Sequence, residues 1–218
     1  MKKIIIIFVA VLLAPQLVPA QGTIYLSNLG QPSSGSAAVG SDSWLAVYFR
    51  TGYSPLIYGY LLNSIQLETT DAFGNPSGFT VAIYPVYGFP DAPASLGSSL
   101  GTLNGSADPS TAGVYSYTPT SSLTLLPNAG YFAVLTAGTA VADGAYELDE
   151  SASYATSSGN WTGGPALYSN DDGLIWGVMG ATYFQFASTA TAIPEPSWAR
   201  LLLFGSGVLF YVRTRIWR

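Results

Sequence analysis

Apolar side chains recur at every second position through much of this 218-residue chain, the period of a half-buried strand. In Ser64-Ile65-Gln66-Leu67-Glu68, Ile65 and Leu67 fall on one side while Gln66 and Glu68 fall on the other. Phe79, Val81, Ile83 and Pro85 share a face in the same way. The stretch from Trp44 to Phe49 is apolar at every position, which suits a central strand covered on both faces. Segments rich in β-branched and aromatic residues predict strands over 23–27, 44–51, 61–69, 79–87, 114–118, 130–137, 166–168, 174–178 and 182–187. Turn chemistry separates them, as at Gly30-Gln31-Pro32-Ser33, Phe73-Gly74-Asn75-Pro76, Ala107-Asp108-Pro109 and Asp171-Asp172-Gly173. No apolar stripe of helical period persists between the two ends. The pattern predicts an all-β fold, an antiparallel β-sandwich of jelly-roll type.

The two ends break the pattern. Met1-Lys2-Lys3, an apolar run over 4–14 and the small residues of Val18-Pro19-Ala20 have the form of a signal peptide over 1–20. Removal by signal peptidase then leaves Gln21 first. At the other end, 198–212 is apolar except for Arg200, and Arg213, Arg215 and Arg218 follow it. Those 15 positions reach roughly 22 Å as a helix, short of a ~30 Å hydrocarbon layer. Trp198, Tyr211 and Trp217 flank the run as an interfacial belt does, and Arg200 is near enough to its edge to snorkel. The arginines keep the C-terminus cytoplasmic. The expected organisation is a signal peptide (1–20), an exported β-sandwich domain (21–188), a Thr/Ala spacer (189–193) and a membrane-anchored tail (194–218).

Pro194 and Pro196 lack an N–H and hold their neighbours extended, so Pro194-Glu195-Pro196 is an exposed, distinctively marked peptide just outside the bilayer. Tripeptide, membrane helix and Arg cluster together resemble the PEP-CTERM sorting signal of bacteria that make extracellular polysaccharide. The resemblance implies processing by an exosortase, a membrane-embedded cysteine protease–transpeptidase. It covers about 25 residues of the chain, and Arg200 departs from the pattern by shortening the helix.

Charge sharpens the picture of export. All twelve acidic residues lie between positions 42 and 195, and Arg50 is the one cation outside the terminal segments. From Gln21 to Pro196 one positive charge stands against twelve negative, a balance of −11. Such a surface repels nucleic acid and anionic lipid, which makes both poor partners, and attracts divalent cations. The chain has neither cysteine nor histidine. Disulfides, Ser-His-Asp and Cys-His catalysis and His/Cys zinc sites are therefore excluded.

The strands carry a second resemblance. Phe49-Arg50-Thr51-Gly52 after Trp44, Leu62 with Ile65 and Leu67, Phe79-Thr80-Val81-Ala82-Ile83-Tyr84, Gly113-Val114-Tyr115-Ser116-Tyr117 and Tyr131-Phe132-Ala133-Val134-Leu135 are similar to the choice-of-anchor R domain. That family implies an exported β-rich domain bearing one of several alternative C-terminal anchors. It carries no catalytic residue set.

Candidate chemistry is sparse. Asp143, Glu147, Asp149 and Glu150 form one acidic cluster and Asp171 with Asp172 another. Oxygen-rich loops of this kind suit calcium, although neither matches an EF-hand; solubilising surface charge is the simpler reading. Carboxylate pairs also serve glycoside hydrolysis, which keeps a secreted glycan-acting enzyme open. Trp161, in the loop-like Ser158-Gly159-Asn160-Trp161-Thr162-Gly163, is the candidate platform for stacking on a sugar ring, although core or loop-anchor packing is the reading that aromatic packing energy favours. Asn104-Gly105-Ser106 and Asn160-Trp161-Thr162 match the N-glycosylation pattern by chance in a chain with a bacterial sorting signal. The sequence therefore points to an exported cell-surface or matrix protein with a structural, adhesive or polysaccharide-associated role. The alternatives are the glycan-acting enzyme and a calcium-stabilised carbohydrate-binding module.

Overall fold

Residues 22–55, 57–87, 95–105, 107–180 and 182–194 are described by the computed structural model. The expected signal peptide, the helix at 198–212, Glu195, Pro196 and Arg213, Arg215 and Arg218 lie outside the described residues. Among the described residues no helix is long and apolar enough to cross a membrane.

Among the described residues, seventeen strands form one antiparallel network. The first half of the chain supplies β1 (Thr23–Ser27), β2 (Ser33–Val39), β3 (Trp44–Arg50), β4 (Ile57–Thr69), β5 (Phe73–Gly74), β6 (Thr80–Tyr87), β7 (Ser95–Leu96) and β8 (Gly101–Gly105). Then come β9 (Gly113–Pro119), β10 (Thr124–Leu125), β11 (Gly130–Thr136), β12 (Gly144–Ser151) and β13 (Thr156–Ser157). The last four are β14 (Thr162–Ser169), β15 (Gly177–Val178), β16 (Tyr183–Phe184) and β17 (Phe186–Pro194). Hydrogen bonding runs β14, β3, β11, β6, β8, β9, β4, β17, β1, so the sheet curls into half a barrel. The all-β, antiparallel class read from the alternation is the class observed. β12 lies beside β2, β16 and the end of β4.

The register gives the half-barrel two ends. At one, Arg50 is level with Gly130 and Thr162, Gly130 with Val86, and Pro194 with Ile57. This is the exit end, where β17 finishes. At the distal end Trp44 is level with Ser169, Thr136 with Thr80, and Thr69 with Gly113 and Leu148.

Odd-numbered residues of β3, β6 and β11 point into the concave side. Leu45, Val47, Phe49, Val81, Ile83, Tyr131, Ala133 and Leu135 meet Ile65, Leu67, Phe186 and Leu148 there. Even-numbered residues Ala46, Tyr48, Phe132 and Val134, joined by Leu167 of β14, build a second cluster on the convex side, with Trp44 and Trp176 packed over it. β3 is thus buried on both faces, which is why its sequence is apolar throughout.

Several boundaries differ from those the sequence suggested: β5 occupies the expected turn at Phe73-Gly74, and β8 falls where no strand was expected. The expected spacer 189–193 is the second half of β17, paired to β4 as far as Pro194 and to β1 through Ala190. Its Thr and Ala side chains have little apolar bulk, yet Ala190 is fully buried between neighbouring strands. β2 and β12 fall where no strand was expected, and they pair with each other from Val39 and Tyr146 onward. The strand expected over 174–178 is only Gly177–Val178, because Asp171 and Asp172 turn the preceding residues.

Candidate functional site

The calcium candidates do not converge. Among the described residues no group of three acidic side chains is placed to hold a metal ion. β12 separates its own acids, since consecutive strand residues point to opposite faces. Glu147 and Asp149 share one face, whereas Glu150 shares the other with Tyr146 and Leu148. Asp149 is buried and engaged: its carboxylate accepts from the Ser33 hydroxyl and, at 2.8 Å, from the Gln185 amide. Glu150 is buried with Oε1 unpartnered, and burial, then Asp149 and Glu147, push its carboxyl above the usual range. Asp143 is exposed in a 3₁₀ turn over Val141–Asp143. At the second cluster, Asp171 accepts from the Ser169 hydroxyl at 2.6 Å and from the Ile175 N–H at 2.9 Å. The hydroxyl bond first, then the backbone bonds, hold its carboxyl below the usual range. Asp172 beside it has φ +56°. The pair is turn chemistry.

Trp161 is not a surface platform. It is fully buried, stacked on Tyr25 at 4.6 Å and on Phe49 at 6.0 Å, with the Tyr60 ring edge-on at 5.1 Å. Gly159 and Asn160 both adopt positive φ, and this doubled turn sends the indole under the sheet.

The structure draws attention to a hollow of about 420 Å³ that spacing did not reveal. β6, β8 and β9 line it with Thr80, Thr102, Asn104 and Tyr117, Phe79 just before β6 joins them, and the loop after β8 adds Asp108. Gly105 belongs here for a steric reason. A Cβ at this position would sit 2.5 Å from the Tyr117 ring, so only glycine lets that ring lie against the strand. Phe79 packs on both Tyr117 (5.5 Å) and Tyr146 (5.1 Å). The Tyr146 hydroxyl donates to Asp108 at 3.0 Å; burial first, then this bond, push its pKa up to about 12, so it stays a donor at neutral pH. Tyr117, buried and near Asp108, is pushed up further, and its hydroxyl is buried without a partner. A buried hydroxyl left unpaired costs ~1–3 kcal/mol.

A second hollow, about 440 Å³, is lined by Ala37, Asp42, Leu45, Val141, Tyr168 and Met179 among others. Each hollow presents one carboxylate, Asp108 in the first and Asp42 in the second. In the sequence Asp108 is the middle of a turn and Tyr117 a strand residue. Only the pairing of β8 with β9 and the reach of Tyr146 from β12 bring them together. The chain matches no family model, no curated protein and no solved structure.

Proposed function

We propose that this chain is an exported protein of the cell surface or extracellular matrix, whose β-domain associates with polysaccharide without cleaving it. Signal peptidase removes 1–20, the apolar 198–212 holds the domain transiently in the cytoplasmic membrane, and an exosortase-like enzyme acts at Pro194-Glu195-Pro196. The facing flanks of the curled sheet serve as the two layers of a jelly-roll-like sandwich, in keeping with a choice-of-anchor type domain.

The observation that carries the glycan reading is the Asp108 hollow. Its rim offers one carboxylate, an amide and two threonine hydroxyls, the donor and acceptor set that neighbouring sugar hydroxyls need. The unpartnered Tyr117 hydroxyl and the half-buried Phe79 supply the floor. A hydrolase of the usual kind needs a second carboxylate ~5–10 Å from the first, and the lining supplies only Asp108.

Two measurements on the protein from its own host test this reading. Intact mass and fractionation find a chain trimmed at both ends in the surface or matrix fraction, and Glu195→Ala leaves full-length protein in the membrane. Untrimmed protein in the cytosol overturns the sorting reading. In affinity electrophoresis through the host's exopolysaccharide, Asp108→Asn and Tyr117→Phe lose retardation; mobility equal to wild type removes the hollow from the proposal.

A further inference from the structure

We propose that the exit end of the half-barrel is a membrane-apposed face, with Tyr53, Tyr58, Tyr87 and Leu126 resting in the lipid headgroup layer beside Arg50. The proposal rests on the reading of 198–212 as a membrane segment, and it adds how the folded domain sits on that membrane.

The first observation is the length of chain available. β17 stays in the sheet to Pro194, opposite Ile57, and the apolar run begins at residue 198. Four residues span at most about 14 Å, so this end of the domain cannot stand clear of the bilayer surface.

The second is what that end exposes. Tyr53, Tyr58, Tyr87 and Leu126 are each 62% to 66% exposed, an apolar cost in water. They belong to one neighbourhood. Tyr131, which Tyr87 influences electrostatically, accepts a bond from the Leu126 N–H at 2.7 Å. The Thr51 hydroxyl donates to the Leu126 carbonyl, and the Tyr60 hydroxyl to the Gly52 carbonyl next to Tyr53. Tyrosines with an apolar ring and a polar tip are the residues that partition to a bilayer interface.

The third is charge. The ten acidic residues among those described all lie toward the distal end: Asp42 between β2 and β3, Glu68 and Asp71 at the end of β4, Asp108 between β8 and β9, four before or within β12, and Asp171 and Asp172 after β14. Arg50, exposed at the last position of β3, is at the exit end. Seven residues of β3 separate the two ends by about 20 Å, roughly two Debye lengths at 0.1 M salt, so lipid phosphates meet the cation and are screened from the acids. Exposed apolar residues at the distal end sit among acids, Leu174 and Ile175 beside Asp171 and Asp172, Val114 opposite Glu68 and Phe73 just after Asp71, which makes them poorer lipid contacts.

The chain contains no cysteine, so a single substitution gives a unique labelling site. Full-length protein carrying Tyr53→Cys, Tyr87→Cys or Leu174→Cys, each labelled with bimane, is reconstituted into phosphatidylethanolamine/phosphatidylglycerol vesicles containing brominated lipid. The two exit-end probes are expected to be quenched at least about twofold more than the probe at Leu174, the latter matching a bromine-free control. Equal quenching at all three sites, or none at the exit end in protein that floats with the vesicles, overturns the proposal and leaves the anchor reading intact. Protein that does not float overturns both.

Discussion

Glu150 sits on the core side of β12, 8% exposed, with Asp149 and Glu147 as neighbours in sequence and Oε1 unpartnered. Its folded carboxyl lies above its unfolded value because burial, and then those two like charges, disfavour the anion. The native state therefore binds the proton more tightly than the unfolded chain does. Stability falls as pH rises from the ordinary Glu range through the folded value, and the loss is complete above it. Glu150→Gln deletes this step. The variant is expected to melt a few degrees higher than wild type near pH 7 and to coincide with it near pH 4, where both side chains are neutral. Thermal melts across that range check it, and a constant offset would mean that the amide acts through packing alone. The sequence placed this residue in an acidic cluster, since a list of Asp and Glu positions does not say which carboxylate faces inward. Trp161 shows the same limit: its Gly and Asn neighbours make a tight turn, and such a turn points a side chain inward as readily as outward.

At the scale of the elements, side-chain amides stitch the seam between β1, β12, β16 and β17. Asn28 donates to the carbonyls of Ser153 and Phe184 and accepts from the Phe186 N–H. Gln185 donates to Asp149 and to the Gln31 carbonyl and accepts from the Gln31 N–H, so both buried amides are fully used. β17 is the strand this seam secures, and it is also the element whose extent the sequence hid. Thr, Ala and Ile in short alternation read as a linker because their burial depends on neighbours more than 100 positions away. Strand β12 was hidden differently. Tyr146 and Leu148 alternate with Glu147 and Asp149 at period two, but the acids drew attention as ligands. A chain ending at Ser188 would strip the pairing of 189–194 from β4 and remove the buried Ala190, leaving an unpaired edge along 57–64. It is expected to lose cooperative unfolding and near-UV circular dichroism, while 22–194 retains both. A cooperative melt from the shorter chain would show that the second half of β17 is dispensable.

At the scale of the whole molecule, the alternation, the turn residues and the one-sided charge were all legible, and they fixed the all-β class and the acid-rich character before any contact was known. The Asp108 hollow was not legible, because it joins β6, β8, β9 and β12 through pairings of low local signal. The curvature of the sheet also gives the acidic residues a common end, which composition alone cannot do. Ten carboxylates gathered there, two of them buried, repel one another through solvent as a diffuse field. A field is screened by any salt, whereas a calcium site is filled by one ion. Raising sodium chloride from about 0.01 to 0.2 M shortens the Debye length from ~30 to under 10 Å and should raise the melting temperature by a few degrees. Calcium chloride at matched ionic strength should do no more, and EDTA should leave the midpoint where it is. A saturable rise with submillimolar calcium, reversed by EDTA, would mean that Asp143, Glu147 and their neighbours rearrange around a metal after all, and the turn and seam roles assigned to Asp171 and Asp149 would have to be revised.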